Sequence, residues 1–411
     1  MGLFLFLRPA HHVAVEYRAL IVGGGVMGAR IAWAMGRRVR STSGRIALFE
    51  RRTLAAGSSG RSGAVLRQHY SSPVVAAMAR DSLGEYSTLE EHTGHSIGFV
   101  RSGVLTIAGP HAPEMVERVR ANVAMQRSIK IVTSLVDARE MRELVPGILV
   151  DDRAVGAYEP GAGFCDPLLA VNAFADLARE QGVATHVEVE VKRILIERGR
   201  AVGIETDAGP VRAQCVVLAA GPWTRKLLEP LGCDLPLQVV RPRQHFLHNP
   251  SLGGPRSAEH PVLLDLELGY YTRCEPSKSR TRIGALEHAG DDVLENPDDI
   301  DESVDFEFTR WARARLEQRL PLYRARADRP PQAGWYTLTP DSQPILGRLA
   351  EVESLFIAAG FSGHGFKLAP SVGEGLAQLA FDEPLTAFDA EFFSAERFRG
   401  GHGADPSAFG L

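Results

Sequence analysis

Gly23, Gly25 and Gly28 form the pattern Gly-x-Gly-x-x-Gly, and Glu50 lies 22 residues past Gly28. Those types at that spacing suit a dinucleotide. Gly23 allows a tight turn, Gly25 lets backbone approach a pyrophosphate, and Gly28 lets a helix pack closely on a strand. The helix that follows aims its positive end at the anion, with Val26 and Met27 beside it. Glu50 can accept hydrogen bonds from both ribose hydroxyls and disfavours an extra phosphate there. The pattern alone does not separate NAD from FAD. The run Arg51 to Gly63 then offers Ser58, Ser59, Arg61, Ser62 and Gly63. Such a loop can bind a second phosphate beside a flat ring, and it reads equally well as a surface loop.

These residues need a β-α-β unit to hold them. Tyr17–Val22 reads as a strand, Ala29 to about Arg38 as a helix, and Ile46–Phe49 as the next strand. Further on, Glu114–Ser128 and Leu168–Glu180 read as helices. The alternating His186–Val191 reads as a strand, as do Val202–Thr206, Cys215–Ala220 and Leu355–Ala359. Residues 235–336 hold short strands, turns and an acidic helical insert over Asp298–Arg319.

The 411 residues carry 46 Lys plus Arg against 50 Asp plus Glu, a net charge of −4. That balance argues against nucleic-acid binding. No apolar run reaches membrane-spanning length. Cys165, Cys215, Cys233 and Cys274 form no Cys-x-x-Cys pair, so neither a metal site nor a disulfide framework is expected. The start, Met1–Arg8, lacks the layout of a signal peptide, and a cytoplasmic location is expected.

Four segments together resemble the D-amino-acid oxidase superfamily of FAD enzymes, in the branch of sarcosine and glycine oxidases. They are residues 20–50, Gly57–Tyr70, Val216–Trp223, and the C-terminal pair Trp335–Asp341 and Gly360–Lys367. The resemblance implies an α/β fold of the glutathione-reductase-like type. A Rossmann-type FAD domain (17–98, 160–234 and 337–390) would interleave with a substrate domain (99–159 and 235–336) built on a large, mostly antiparallel sheet. Residues 1–16 and 399–411 would be flexible ends. FAD would also meet Val191, Ala220, Gly221 and Trp223, and the loop Gly360, Phe361, Ser362, Gly363, His364, Gly365 and Phe366 would pass close to the flavin ring. The helix starting near Phe366, with Lys367, would favour the negative charge of a reduced flavin.

The same resemblance implies that Arg67 and Lys367 clamp a substrate carboxylate, for which the arginine fork is suited. One of Tyr270 and Tyr271 would face the substrate, since strand neighbours point to opposite sides. His69 reads either as a polar group near the ring or as a packed loop histidine, and His288 would stand near the cavity by analogy. Two departures carry consequences. Ala333–Tyr336 lacks the cysteine that tethers FAD in monomeric sarcosine oxidases, so FAD is expected to be non-covalent. Arg282 stands where those oxidases use a lysine to activate oxygen, which leaves oxidase against dehydrogenase open. The implied reaction is hydride transfer from a small amino acid or N-methyl amino acid to the flavin. The imine formed is then hydrolysed, and oxygen or another acceptor takes the electrons. The alternatives are a 2-hydroxy-acid dehydrogenase, or an FAD-carrying subunit of a hetero-oligomeric amine or opine oxidase.

Overall fold

The computed structural model describes residues 17–39, 44–250, 260–288 and 290–399. The ends expected to be flexible, 1–16 and 399–411, lie outside the described residues apart from Arg399.

Two eight-stranded sheets form the framework. In the first, Leu355–Ala359, Gly209–Leu218, Tyr17–Val22, Arg45–Phe49 and Ala184–His186 run parallel in that order. Ile345–Arg348 is its antiparallel edge, and Arg200–Thr206 with Val191–Glu197 extends it as an antiparallel arm. Tyr17–Val22 ends in a continuous apolar run because both its faces are covered. Ala19 and Ile21 enter one core, beneath helices Val26–Gly36, Pro167–Glu180 and Ala369–Ala380. Leu20 and Val22 enter the other, with Ile194, Ala201 and Ile204 from the arm.

The second sheet runs Asp328–Ala333, Arg243–His248, Arg280–Ala285, Tyr270–Glu275, Val262–Asp265, Val104–Ala108, Val155–Glu159, Ser134–Asp137. Only the contact between Val262–Asp265 and Val104–Ala108 is parallel. Helix Phe306–Arg319 packs on one face of it, over Leu247, Leu263, Tyr270 and Ile283. The architecture is the α/β fold expected: a parallel Rossmann-like sheet joined to a large, mostly antiparallel one.

Three local readings change. The alternating stretch His186–Val191 is not one strand. The first strand stops at His186 and the next starts at Val191. Between them the backbone bonds to the loop after the second strand, with Glu188 N donating to Arg52 O and Val189 N to Glu50 O. The acidic insert has one 3-10 turn at Pro297–Asp299 and becomes α-helical only at Phe306, where the Asp305 carboxylate caps Phe308 N at 2.7 Å. The third change is an added element, the 21-residue helix Pro73–Thr93. Ser72 caps it, Pro73 opens it, and Gly94 closes it at φ 76°. No helix among the described residues is long and apolar enough to cross a membrane.

Candidate active site

A cleft of about 1550 Å³, its open mouth included, lies across the first sheet at Gly23–Met27. The glycines explain its floor. Gly23 has φ +113°, and a Cβ there would sit 2.3 Å from Ala219 O. A Cβ on Gly28 would sit 1.8 Å from Gly23 O, so helix and turn touch through bare backbone. A Cβ on Gly25 would meet only Ser59 Oγ, which leaves that backbone open to a ligand. Helix Val26–Gly36 has no side-chain cap of its own, and Ser59 Oγ accepts from Val26 N at 3.0 Å. Glu50 lines the cleft and holds Gly24 N at 2.7 Å and Arg52 N at 2.8 Å, with acceptor capacity left over. An uncapped helix N-terminus, a glycine cradle and a carboxylate fit a dinucleotide with its pyrophosphate at the helix end.

Ser58, Ser59, Ser62, Val191, Ala220, Gly221 and Trp223 share this lining with Gly360, Phe361, Ser362, Gly363, Gly365 and Phe366. Arg51 lines it too, lying 4.0 Å over the Trp223 ring and bonded to Asp298 at 2.7 Å. Asp298 also accepts from Trp223 Nε1 at 2.9 Å, so the acidic insert is tied across the cleft to the first sheet's loops. Gly28 and Arg61 stand outside the lining. Gly28 is buried in the helix–turn contact, and Arg61 bonds to Ala56 O and Glu302 over the Trp335 ring.

A second cavity, about 710 Å³ with its mouth, shares Ser62, Tyr336, Ser362, Gly363 and Phe366 with the first. Arg67 and Lys367 both stand in its wall, with Gly63 and His364. Arg67 donates to His69 O and lies 4.3 Å over the Tyr70 ring. Lys367 Nζ reaches His364 O at 3.5 Å. Burial first, and Arg67 second, hold Lys367 well below the usual lysine range. His364 Nε2 donates to Ser342 O at 2.7 Å, and burial takes that imidazole down to about 3. Arg67, with Lys367 once an entering anion favours its charged form, can hold a carboxylate here far more firmly than at the surface.

The opposite part of the wall carries Tyr271, Tyr336 and His288. His288 Nδ1 bonds to Asp291 at 2.9 Å, and its ring meets Tyr336 edge-on at 4.7 Å. Tyr270 is outside the site. The strand's alternation turns it to the other face, into the core beneath helix Phe306–Arg319. Arg282 is buried behind Tyr271, not in the cavity; Glu275 Oε1 (2.7 Å), Gln244 and Arg61 O (2.9 Å) hold it. His69 is likewise outside both linings, fully buried beside Asn122 at 3.3 Å. Sequence reasoning missed Glu159, a fully buried carboxylate bonded to Gln68 N at 2.8 Å just behind Arg67. It also missed Asp291, and neither residue carries a local signal. No cluster of three or more potential metal ligands exists among the described residues.

A family model described as DAO, FAD dependent oxidoreductase, matches residues 18–379. Human peroxisomal sarcosine oxidase is 27% identical over 409 residues, covering 92% of this chain and 96% of that protein. The 4-methylaminobutanoate oxidase (formaldehyde-forming) of Paenarthrobacter nicotinovorans is 30% identical over 404 residues. That match covers 96% of this chain and 47% of the oxidase, so the chain spans about half that relative's length. The structure of L-proline dehydrogenase from P. horikoshii superposes with a TM-score of 0.86 at 26% identity, covering 95% of this chain and 100% of that one.

Proposed function

The chain belongs to the DAO family of FAD-dependent oxidoreductases, and from that premise we propose that it oxidises the carbon–nitrogen bond of a small carboxylated amine. An amino acid or N-methyl amino acid is the class meant. The observation that carries this reading is the buried pair Arg67 and Lys367 in the wall of one cavity that shares residues with the dinucleotide cleft. FAD in that cleft supplies the hydride acceptor.

The chain's residues do the rest. Gly25, the first turn of helix Val26–Gly36, Ser59 and Glu50 hold the dinucleotide. Arg67 offers a bidentate fork to the carboxylate, and Lys367 adds a point charge. Tyr271, Tyr336 and His288 are left to meet the amine. No Asp or Glu lines this cavity among the described residues, so nothing acidic there stabilises an ammonium. The two cations lower the amine's pKa, which favours the neutral amine that can release a hydride. Non-covalent FAD is part of the proposal: none of the four cysteines lines either cavity. Oxygen or another electron acceptor completes the turnover.

The test is an anaerobic titration of the FAD-loaded protein with sarcosine, glycine, proline, other N-methyl and D- or L-amino acids, and 2-hydroxy acids. The flavin absorbance band is followed. Bleaching by amines supports the reading, and bleaching by hydroxy acids alone overturns it. Readmitted air then separates oxygen from another acceptor. In Arg67→Ala, FAD stays bound while kcat/KM falls about 10²–10⁴-fold, the loss of one or two charge-assisted hydrogen bonds and their desolvation. Unchanged kinetics in that variant would remove the clamp.

A further inference from the structure

Glu159 is a titratable group that the proposed reaction leaves unused. It ends the strand Val155–Glu159 of the second sheet and is fully buried. Its Oε1 accepts from Gln68 N at 2.8 Å, and more weakly from Gln68 Nε2 at 3.4 Å. Its Oε2 has no hydrogen bond of good geometry, though the His69 backbone N–H also favours the anion. Gln68 follows Arg67 directly, so this carboxylate is fastened to the turn that carries the clamp arginine. A buried carboxylate oxygen so poorly bonded is costly unless cations compensate it or a proton neutralises it. Arg67 and Lys367 are the cations it faces.

We propose that Glu159 is the proton acceptor that balances the clamp: when a carboxylate enters between Arg67 and Lys367, Glu159 takes up one proton from solvent. This rests on the carboxylate-clamp reading. Without substrate, Arg67 and Lys367, whose proton burial and Arg67 loosen, share one buried carboxylate. With substrate, a second anion arrives in the same low-dielectric space, and neutral Glu159 becomes the cheaper form. The balance is simple. The substrate carboxylate enters as an anion, the Glu159 carboxylate and a solvent proton become a carboxylic acid, and no other bond changes. Glu159 then acts through the clamp, as a positioning residue.

The surroundings leave few groups able to do this. The turn presents Arg67, His69 and Tyr70. The C-terminal turn Phe366–Leu368 presents Lys367, and helix Pro113–Ser128 presents the neutral Gln126, bonded to Gln68 O at 3.0 Å, and the neutral Asn122, beside His69 at 3.3 Å. Burial takes His69 down to about 3 and Tyr70 up to about 12, so both stay neutral from pH 6 to 9. Arginine stays a cation throughout. Burial lifts Glu159 to about 7, while Lys367 sits well below its usual range. An entering anion raises both, so carboxylate affinity is highest at the acid end. It falls by up to about tenfold per pH unit as pH rises through the titration.

The experiment is calorimetric titration of the FAD-loaded protein with acetate, at pH 6 to 9, in paired buffers of different ionisation enthalpy. The wild type is expected to take up close to one proton per acetate over part of that range. Lys367→Met should keep the uptake, with its midpoint at higher pH because a cation that stabilised the carboxylate is gone. Lys367→Met/Glu159→Gln should lose it, while the amide oxygen that replaces the carboxylate still accepts from Gln68 N. Acetate binding without uptake in the wild type overturns the proposal, as does uptake that survives in the double variant. Acetate that does not bind at all overturns the clamp, and Glu159's role with it.

Discussion

Alanine at Gly28 would place a Cβ 1.8 Å from the Gly23 carbonyl oxygen, where real Cβ atoms essentially never come closer than 3.0 Å. Helix and turn must therefore part by more than 1 Å, which neither side can do freely. Gly23 N is bonded to Phe49 O at 2.8 Å, and Gly23 itself is pressed on Ala219 O. Helix Val26–Gly36 is buried along its whole length. Overpacking of this kind costs about 1–3 kcal/mol. The displaced element is the helix N-terminus proposed to cradle the pyrophosphate. The expected result is a loss of FAD affinity of about 5–150-fold, at about 1.4 kcal/mol per tenfold, with some loss of apo-protein stability. Gly25→Ala makes the comparison sharp. Its Cβ meets only the movable Ser59 Oγ, so apo-protein stability should hold within about 0.5 kcal/mol while FAD binding weakens. Fluorescence titration of each apo-protein with FAD, paired with urea unfolding, measures both quantities. The reasoning fails if Gly28→Ala binds FAD within twofold of wild type, or if Gly25→Ala unfolds more readily than Gly28→Ala.

Three further outcomes follow from buried groups. Arg319 bonds Asp265 through two nitrogens at 2.6 and 3.2 Å, and Glu267 at 3.0 Å; Arg319→Met leaves the buried Asp265 carboxylate without its cation and should cost about 3–5 kcal/mol in urea unfolding. Tyr270→Phe deletes a buried hydroxyl that has no partner, so stability should be unchanged or slightly higher and turnover unaffected; a large kinetic effect would return Tyr270 to the site. His69 and His364 are held down to about 3 by burial, so between that value and 6.5 the unfolded chain binds protons that the folded chain refuses. Stability should therefore fall as pH drops from 6.5, by up to about 1.4 kcal/mol per pH unit for each histidine; urea unfolding of His69→Gln should show a shallower slope than wild type.

The cofactor half was legible because its signals are local. Turn, helix and strand of the glycine pattern lie within residues 17–50, and each glycine answers a clash that can be reasoned without knowing the rest. The substrate half was legible only as residue types. Alternation left Tyr270 and Tyr271 equivalent. What separates them is the helix Phe306–Arg319, which covers one face of their strand and is contributed some 30 residues later. Arg51 opens the run read as a phosphate-binding loop and does line the cleft, but its bond to Asp298, from the insert much later in the chain, had no signal in the sequence. His186–Val191 misled for a related reason: its period-2 pattern comes from a connection bonded to the Glu50–Arg52 loop, not from a ladder.

Glu159 shows where sequence reading stops and what lies beyond it. Its neighbours Val155–Tyr158 announce an ordinary strand, and a lone glutamate at a strand end is usually solvated. It is buried because residues 67–70, 91 positions earlier at Gln68, fold over it from the other sheet's side of the molecule. The same seam produces the cavity. Arg67 arrives on the turn after the short strand Val65–Leu66, Lys367 on the turn before helix Ala369–Ala380, and Tyr271 on the second sheet. A cavity assembled from three distant segments can shift in one without disturbing the dinucleotide cleft. Substrate choice within such a scaffold is therefore expected to reside in the second sheet's contribution, at Leu264, Tyr271, Leu286 and His288, while the glycine floor stays the same.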